Sequence, residues 1–321
     1  MDDAFFMRRC LQLASHGLGT TSPNPLVGSV IVHPERGIIG EGWHHQAGGP
    51  HAEVKAIQSV ADHDWLAEST LYVNLEPCSH HGKTPPCADL IVKMGIRKVV
   101  VGMEDPNPLV AGQGLRRLKD AGVNVKVNVD VNECKSLNKR FLAYVLKNRP
   151  YIILKWAQSA DGRMDPRMDP PAGDGGIPVS SPETQKWVHL WRSEEPALLT
   201  GSGTILVDQP QLNVRKVFGS SPEVFVLDRR RRAVGRHSFV SLTGTLEEAL
   251  ETIHSKGHNS VLVEAGPTLL AAFLESGLAD EVRIIRAPQP LGKGRPAPVV
   301  EWPISHSMNC GGDQITWHLK P

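Results

Sequence analysis

The chain has 321 residues, 40% hydrophobic and 21% charged, with a net charge of +1 at pH 7. That length suits two domains and that balance suits packed cores, while near-neutrality gives no field to gather nucleic acid or an anionic membrane. No stretch approaches the roughly 20 apolar residues of a membrane span, and Asp2 and Asp3 open the chain with no basic-then-apolar signal behind them, so a cytoplasmic location is expected. The five cysteines, Cys10, Cys78, Cys87, Cys134 and Cys310, are an odd and sparse set, which argues against a disulfide framework and for metal ligands or reactive thiols.

Taken in order, Met7, Cys10, Leu11 and Ala14 fall at helical spacing, and Val27–Val32 is a short apolar run ended by His33-Pro34. Helical patterning returns over Glu53–Ala61, and Thr70–Leu75 reads as a buried strand. Pro85 and Pro86 suit a first helical turn. Lys98–Met103 is a strand, Gln113–Ala121 a helix stopped by Gly122, Val123–Val129 a strand and Asn132–Lys147 a longer helix. Asn148-Arg149-Pro150 breaks the pattern and sets the expected domains at 1–148 and 149–321. Beyond it come a strand at Tyr151–Trp156, a Pro/Gly/Asp-rich loop over Met164–Gly176, a helix at Pro182–Arg192 and strands at Ala197–Thr200 and Glu223–Leu227. A helix at Leu246–His254, a strand at Ser260–Val263 and a helix at Pro267–Ser276 follow, with closing strands at Glu281–Arg286 and Gln314–His318. Such alternation predicts two α/β layer folds with parallel strands.

The sharpest chemical signal is Pro50-His51-Ala52-Glu53, followed by Glu76-Pro77-Cys78 and then Cys87. One imidazole and two thiolates are the ligand set of a catalytic zinc whose fourth position is left for water. Zinc lowers the pKa of such a water from about 15.7 towards 7. Hydrolytic deamination also needs a group to carry a proton from the attacking water to the leaving ammonia. Glu53, two residues after His51, is near the metal yet free to do this. Cys78 and Cys87 are expected at or near helix starts, where the positive dipole end favours thiolate. A structural zinc would need one more Cys or His at tight spacing, and the sequence has no Cys-x-x-Cys pair. Instead Cys78 and Cys87 enclose eight residues, Ser-His-His-Gly-Lys-Thr-Pro-Pro, a polar, basic insert that implies a substrate larger or more anionic than a bare base.

With that insert, Glu76–Ala88 (EPCSHHGKTPPCA) resembles the signature of the bifunctional riboflavin-biosynthesis deaminase-reductase family, as do Ser22–Gly28 (SPNPLVG), Gly48–Glu53 (GGPHAE) and Asp105–Gly114 (DPNPLVAGQG). The second half is similar to that family's reductase domain through Leu154–Gly162 (LKWAQSADG), Thr204–Arg215 (TILVDQPQLNVR), Val263–Gly266 (VEAG), Gly277–Glu281 (GLADE) and Leu291–Gly294 (LGKG). The resemblance implies a cytidine-deaminase-like three-layer domain followed by a dihydrofolate-reductase-like α/β domain. It also implies zinc and NADPH as cofactors and a small phosphorylated pyrimidine as substrate. The first domain would deaminate a diaminopyrimidinone carrying a phosphoribosylamino group, and the second would reduce the ribosyl unit to ribityl.

By match of motif, Asn24, His44, His80 and Lys83 would contact the deaminase substrate. Lys155, Arg192, Leu212, Arg215 and Glu264 would contact the reductase substrate, with Lys155 and Glu264 also catalytic. Ala157, Thr204, Asp208, Arg229 and Gly266-Pro267-Thr268 would hold NADPH. The physical chemistry agrees at several points. Arg192 and Arg215 suit a phosphate clamp, Glu264 ends a strand where α/β proteins bind ligands, and backbone N–H groups of a helix opening at Gly266 suit a pyrophosphate. Reductase domains of this kind commonly pair, so a homodimer through that domain is expected. One departure stands out: Gly176-Ile177-Pro178-Val179 occupies the place of a usual Ser-x-Trp-Ile, whose Ser contacts substrate and whose Trp contacts cofactor. A deaminase whose second domain does not reduce, a deaminase of transfer RNA or DNA, and a zinc-stapled binding module are the other readings. The nucleic-acid reading lacks its basic, aromatic surface, since aromatic residues are only 5% of the chain.

Overall fold

A computed structural model describes residues 2–79, 85–107, 110–233 and 238–321. The chain divides into two compact units, 1–147 and 148–321.

The first unit begins with helix α1 (Asp3–Ser15), whose N–H of Ala4 is capped by the Asp2 side chain. Strands β1 (Gly28–His33) and β2 (Gly37–Trp43) follow, then helix α2 (Ala52–Gln58) and strand β3 (Thr70–Leu75). Helix α3 (Cys87–Lys93), strand β4 (Lys98–Met103), helix α4 (Gln113–Asp120), strand β5 (Asn124–Lys126) and helices α5 (Val131–Leu137) and α6 (Lys139–Leu146) complete it. The sheet order is β2-β1-β3-β4-β5. The strands β3, β4 and β5 are parallel, as the alternation predicts. β1 pairs antiparallel with both β2 and β3, which corrects that expectation for this edge. The reason is the connection: β1 turns back into β2 through a short hairpin, and parallel pairing needs a longer crossover.

Side chains of the central strands alternate between two apolar layers. Ile31, Leu71, Val73, Val99 and Val101 pack with Ala56 and Ile57 of α2, Ile91 of α3 and Leu115 and Leu118 of α4. Val30, Val32, Tyr72 and Val100 pack on the other side with Phe6, Met7, Cys10 and Leu13 of α1 and Cys134 of α5. A strand buried on both faces reads as a continuous apolar run, which is why β3 and β4 are plain in the sequence. β2, with three glycines in Gly-Ile-Ile-Gly-Glu-Gly-Trp, is not. Its glycines let α2 lie directly on the strand: a Cβ on Gly42 would meet the Ala56 backbone nitrogen at 2.4 Å. The helix expected over Asn132–Lys147 is two helices. They break at Asn138, whose buried side chain accepts from Leu26 N–H at 2.8 Å and donates to Leu26 O at 3.0 Å.

The second unit contains β6 (Tyr151–Gln158), β7 (Arg163–Asp165), α7 (Pro182–Glu194), β8 (Ala197–Gly201), α8 (Ser202–Asp208), β9 (Glu223–Leu227) and β10 (Val240–Leu242). It continues with α9 (Leu246–Ser255), β11 (Ser260–Glu264), α10 (Pro267–Glu275), β12 (Glu281–Arg286), β13 (Arg295–Pro296), β14 (Ile304–Cys310) and β15 (Asp313–Leu319). The large sheet runs β10-β9-β8-β11-β6-β12-β15-β14. It is parallel from β10 to β12, and β15 and β14 are antiparallel additions, again a correction to the all-parallel expectation. β14 is mostly exposed and polar, so no apolar run marks it. Ile152, Leu154, Leu199, Val261 and Val263 pack under Leu250 and Ile253 of α9 and Leu270 and Phe273 of α10. Leu198 and Val226 turn to the opposite face and meet Ile205 of α8 and Leu212. Among the described residues no helix is long and apolar enough to cross a membrane.

Candidate active sites

In the first unit, the site forms where three segments start or stop. His51 is the N-cap of α2 and Glu53 lies in its first turn. Cys78 follows β3 by three residues, and Cys87 is the first residue of α3, entered through Pro86. Cys87 therefore sits at a helix start as expected, whereas Cys78 lies in the loop after β3, which corrects the helix-start expectation for that sulfur.

The ligand atoms of His51, Cys78 and Cys87 all lie within 4.8 Å of one another, and among the described residues this is the group suited to a metal ion. His51 Nδ1 is 3.5 Å from Cys78 Sγ and 3.3 Å from Cys87 Sγ. A tetrahedral zinc with Zn–S near 2.3 Å and Zn–N near 2.1 Å would separate N and S by about 3.6 Å, so the three residues fit that ion. The hydrogen bond from Cys87, helped by the His51 imidazole and the Cys87 N–H, holds the Cys78 thiol down to about 4. A thiolate is the form a metal takes. The same neighbour and burial push Cys87 up, an effect a bound dication opposes. Glu53 is 3% exposed, and burial pushes its carboxyl up to about 7.

His44 and Asn24 join this cluster. His44 Nδ1 lies 3.1 Å from the Pro50 carbonyl, which only accepts, so Nδ1 carries the proton. Nε2 is then an acceptor, and the Asn24 amide donates to it at 3.1 Å. Burial lowers the His44 pKa, which keeps this neutral tautomer. The His44 and His51 rings meet edge to face at 5.7 Å. The expected substrate contacts His80 and Lys83 lie outside the described residues.

In the second unit, the parallel strands deliver their C-terminal ends to a cavity of about 830 Å³. Its wall includes each of Lys155, Ala157, Arg192, Thr204, Asp208, Leu212, Arg215, Arg229, Glu264, Gly266, Pro267 and Thr268. Lys155 and Glu264 stand side by side because β6 and β11 pair in parallel with those residues in register. Lys155 Nζ donates to Glu264 Oε2 at 3.3 Å, and Arg192 grips the same carboxylate through Nε at 2.6 Å and Nη2 at 3.0 Å. Burial pushes Glu264 up, but Arg192 and Lys155 together override it and hold the carboxyl down at about 2. Burial lowers the Lys155 pKa, with Glu264 opposing. Arg215 reaches Asn213 Oδ1 at 2.8 Å and its guanidinium is solvent-facing. Leu212, buried, holds a left-handed φ of 49°, an unusual conformation at the cavity wall.

Gly266 begins α10 with no side chain capping its first N–H groups, and a Cβ there would meet nothing within 4 Å. An uncapped helix start beside a cavity of this size suits the phosphates of a dinucleotide. Arg229 hydrogen-bonds Gly244 O at 3.2 Å, and Arg230 and Arg232 also line the cavity. The departing segment Gly176–Val179 lines it as well. Sequence reasoning missed Glu76, Arg230, Arg232 and His189. His189 stands one turn before Arg192 on α7, so helical spacing puts both on one face. Its Nδ1 accepts the Arg215 N–H at 3.1 Å, and burial lowers its pKa to about 4.

Comparison with known proteins bears on both units. Residues 1–103 match the cytidine and deoxycytidylate deaminase zinc-binding region, and residues 150–309 match the RibD C-terminal domain. The site and folds therefore define a zinc deaminase joined to a reductase of dihydrofolate-reductase-like fold. The riboflavin biosynthesis protein RibD of Escherichia coli (strain K12) is 39% identical over 91% of this chain and 89% of its own length. That of Aquifex aeolicus is 36% identical over 91% and 88%. The solved structure of Acinetobacter baumannii RibD superposes with a TM-score of 0.88 at 34% identity, covering 99% of this chain and 98% of that one. The diaminohydroxyphosphoribosylaminopyrimidine deaminase/5-amino-6-(5-phosphoribosylamino)uracil reductase of Thermotoga maritima gives 0.87 at 32%, covering 99% of each. The chain belongs to the RibD family, the bifunctional deaminase-reductases of riboflavin biosynthesis.

Proposed function

We propose that unit 1–147 hydrolyses the amino group from a diaminopyrimidinone bearing a phosphoribosylamino substituent. Unit 148–321 then uses NADPH to reduce the ribosyl group of the resulting phosphoribosylaminouracil to ribityl. The observation that carries the reading is the convergence of His51, Cys78 and Cys87 within 4.8 Å, with Glu53 buried in the turn that His51 caps.

In the deaminase half, His51, Cys78 and Cys87 hold zinc, which when bound acidifies a water towards neutral pH. Glu53, buried beside His51, would take a proton from the attacking water and return one to the amino nitrogen, which would leave as ammonia. Asn24 and His44, fixed in one tautomer pattern, present polar atoms to the ring edge, and His80 and Lys83 serve the ring and phosphate. In the reductase half, Lys155, Arg192, Leu212, Arg215 and Glu264 take the substrate. NADPH, when bound, would supply the hydride for that reduction. Glu264 opposes the loss of charge that burial favours at Lys155 and holds Nζ where it can donate to the atom that gains charge on reduction. Arg215, exposed at the cavity, takes the phosphate. Ala157, Thr204, Asp208, Arg229 and Gly266–Thr268 hold the cofactor. The same reading makes the protein a cytoplasmic homodimer that pairs through the reductase unit. It is supported by five free cysteines and by the exposed edge strand β14.

The test is to give zinc-loaded protein the diaminopyrimidinone phosphoribosylamine with and without NADPH. Ammonia release and NADPH oxidation are both expected. Ammonia without NADPH oxidation selects the reading in which the second unit does not reduce, which the Gly176–Val179 segment on the cavity wall favours. Neither product would remove the proposal.

A further inference from the structure

Eight residues separate Cys78 from Cys87 in the sequence. Two contacts to Cys78 join the segments. The Cys87 N–H donates to Cys78 Sγ at 3.3 Å, and the Ala88 N–H donates to Cys78 O at 3.2 Å. A third link comes from α4, which supplies no ligand. Arg117 Nη1 donates to the carbonyl of Ser79, next to Cys78, at 3.2 Å. Its Nε pairs with the carboxylate of Asp89, two residues beyond Cys87.

α4 is in turn fastened to the Cys78 segment at its start. The Glu76 carboxylate accepts four backbone N–H groups: Asp105 at 3.0 Å and Gly112 at 3.0 Å through Oε2, Gly114 at 2.9 Å and Leu115 at 3.3 Å through Oε1. A carboxylate there satisfies orphan donors at the positive end of the helix. A Cβ on Gly114 would lie 2.0 Å from Pro77 O, so the helix start rests directly on the backbone leading to Cys78.

We infer that Arg117 is a positioning residue of the zinc centre: from a helix anchored by Glu76, it braces the two cysteine-bearing segments on either side of the insert. The inference rests on the zinc reading of His51, Cys78 and Cys87. Glu76 is buried and its replacement endangers the fold, but the Arg117 side chain is 45% exposed and its partner Asp89 31%. Exposed ion pairs contribute little to global stability, so loss of Arg117 separates ligand placement from folding.

The experiment uses the full chain and zinc alone, with affinity read by chelator competition and ligand geometry by the thiolate-to-cobalt absorption of the cobalt-substituted protein. Wild type binding one zinc per chain is the first arm; no binding there would sink the zinc reading itself, whatever the variants do. Arg117→Met is expected to weaken zinc by about two- to fivefold, the scale of a partly exposed ion pair and one carbonyl contact, and to shift the cobalt band. Arg117→Lys should recover part of the affinity through Asp89. Asp89→Asn should weaken zinc too, and the double variant should be no worse than Arg117→Met, since both remove one link. Metal-free unfolding should be unchanged. Wild-type affinity and cobalt spectrum in Arg117→Met, strictly additive losses, or a matching loss of metal-free stability would overturn the inference.

Discussion

The two sites differ in how their chemistry is distributed. In the first unit it is gathered into three ligand atoms within 4.8 Å and one buried carboxylate, carried at the starts of α2 and α3 and in the loop after β3. In the second it is spread round a cavity of about 830 Å³ whose walls include residues of β6, β7, α7, β8, α8, β9, α9, β11, α10 and β13. A metal centre is an all-or-none device, because each ligand is required for the ion. A reductase cavity is graded, because orientation is shared among many contacts. Removing single residues should therefore produce large losses in one half and a range of losses in the other.

The sharpest way to break that contrast is Cys87→Ala. It is expected to abolish zinc binding and ammonia release together, measured by metal content and ammonia assay, while NADPH oxidation on the deaminated substrate continues. Next in size is Glu53→Gln, which should keep zinc and lower ammonia release by about 10²–10⁴-fold, the usual worth of a positioned acid–base group. Zinc retention with unchanged turnover would deny Glu53 its role, and the absence of any turnover in wild type would leave a zinc-stapled module. Lys155→Ala should spare ammonia release and slow NADPH oxidation by roughly 10²-fold; intact reduction in a rate assay would remove this lysine from the mechanism.

Acid should also divide the two halves. The Glu264 carboxyl sits at about 2 in the folded unit, against about 4.3 unfolded. A depressed carboxylate pKa gives stability that is fully present above pH 4.3 or so and lost as pH falls towards 2, of order 3 kcal/mol. Urea unfolding of the second unit followed from pH 6 to pH 3 should show this decline. A flat profile would mean that Glu264 is not paired as described. The smallest effect is expected from Arg229→Ala, an exposed cation, which should raise the KM for NADPH by about three- to fivefold. An unchanged KM would take Arg229 out of the cofactor contacts.

Much of this was legible because some side chains carry their meaning wherever they stand. A His, a Glu two residues later and two well-spaced cysteines name a chemistry, and double-sided apolar runs such as Leu71–Val73 and Val99–Val101 name strands buried between layers. The failures were equally physical. β2 was hidden by glycines that exist to admit α2, and β14 by a polar surface. The break in the last helix of the first unit was hidden because its cause, Leu26, is 112 residues away from Asn138. His189 was passed over because its partner is a backbone N–H, which no residue type announces.

Residue chemistry and periodicity alone marked out the zinc-binding set His51, Cys78 and Cys87 and the alternating elements, since ligand softness and strand burial are properties of side chains and their spacing. Tertiary structure alone decided that Lys155 meets Glu264 across 109 residues, that Arg192 completes the pair and that Glu76 closes on four backbone N–H groups. Those are matters of register and close approach. They depend on which strands pair and which helix rests on which loop, and a linear string of residues does not contain that information until it has packed.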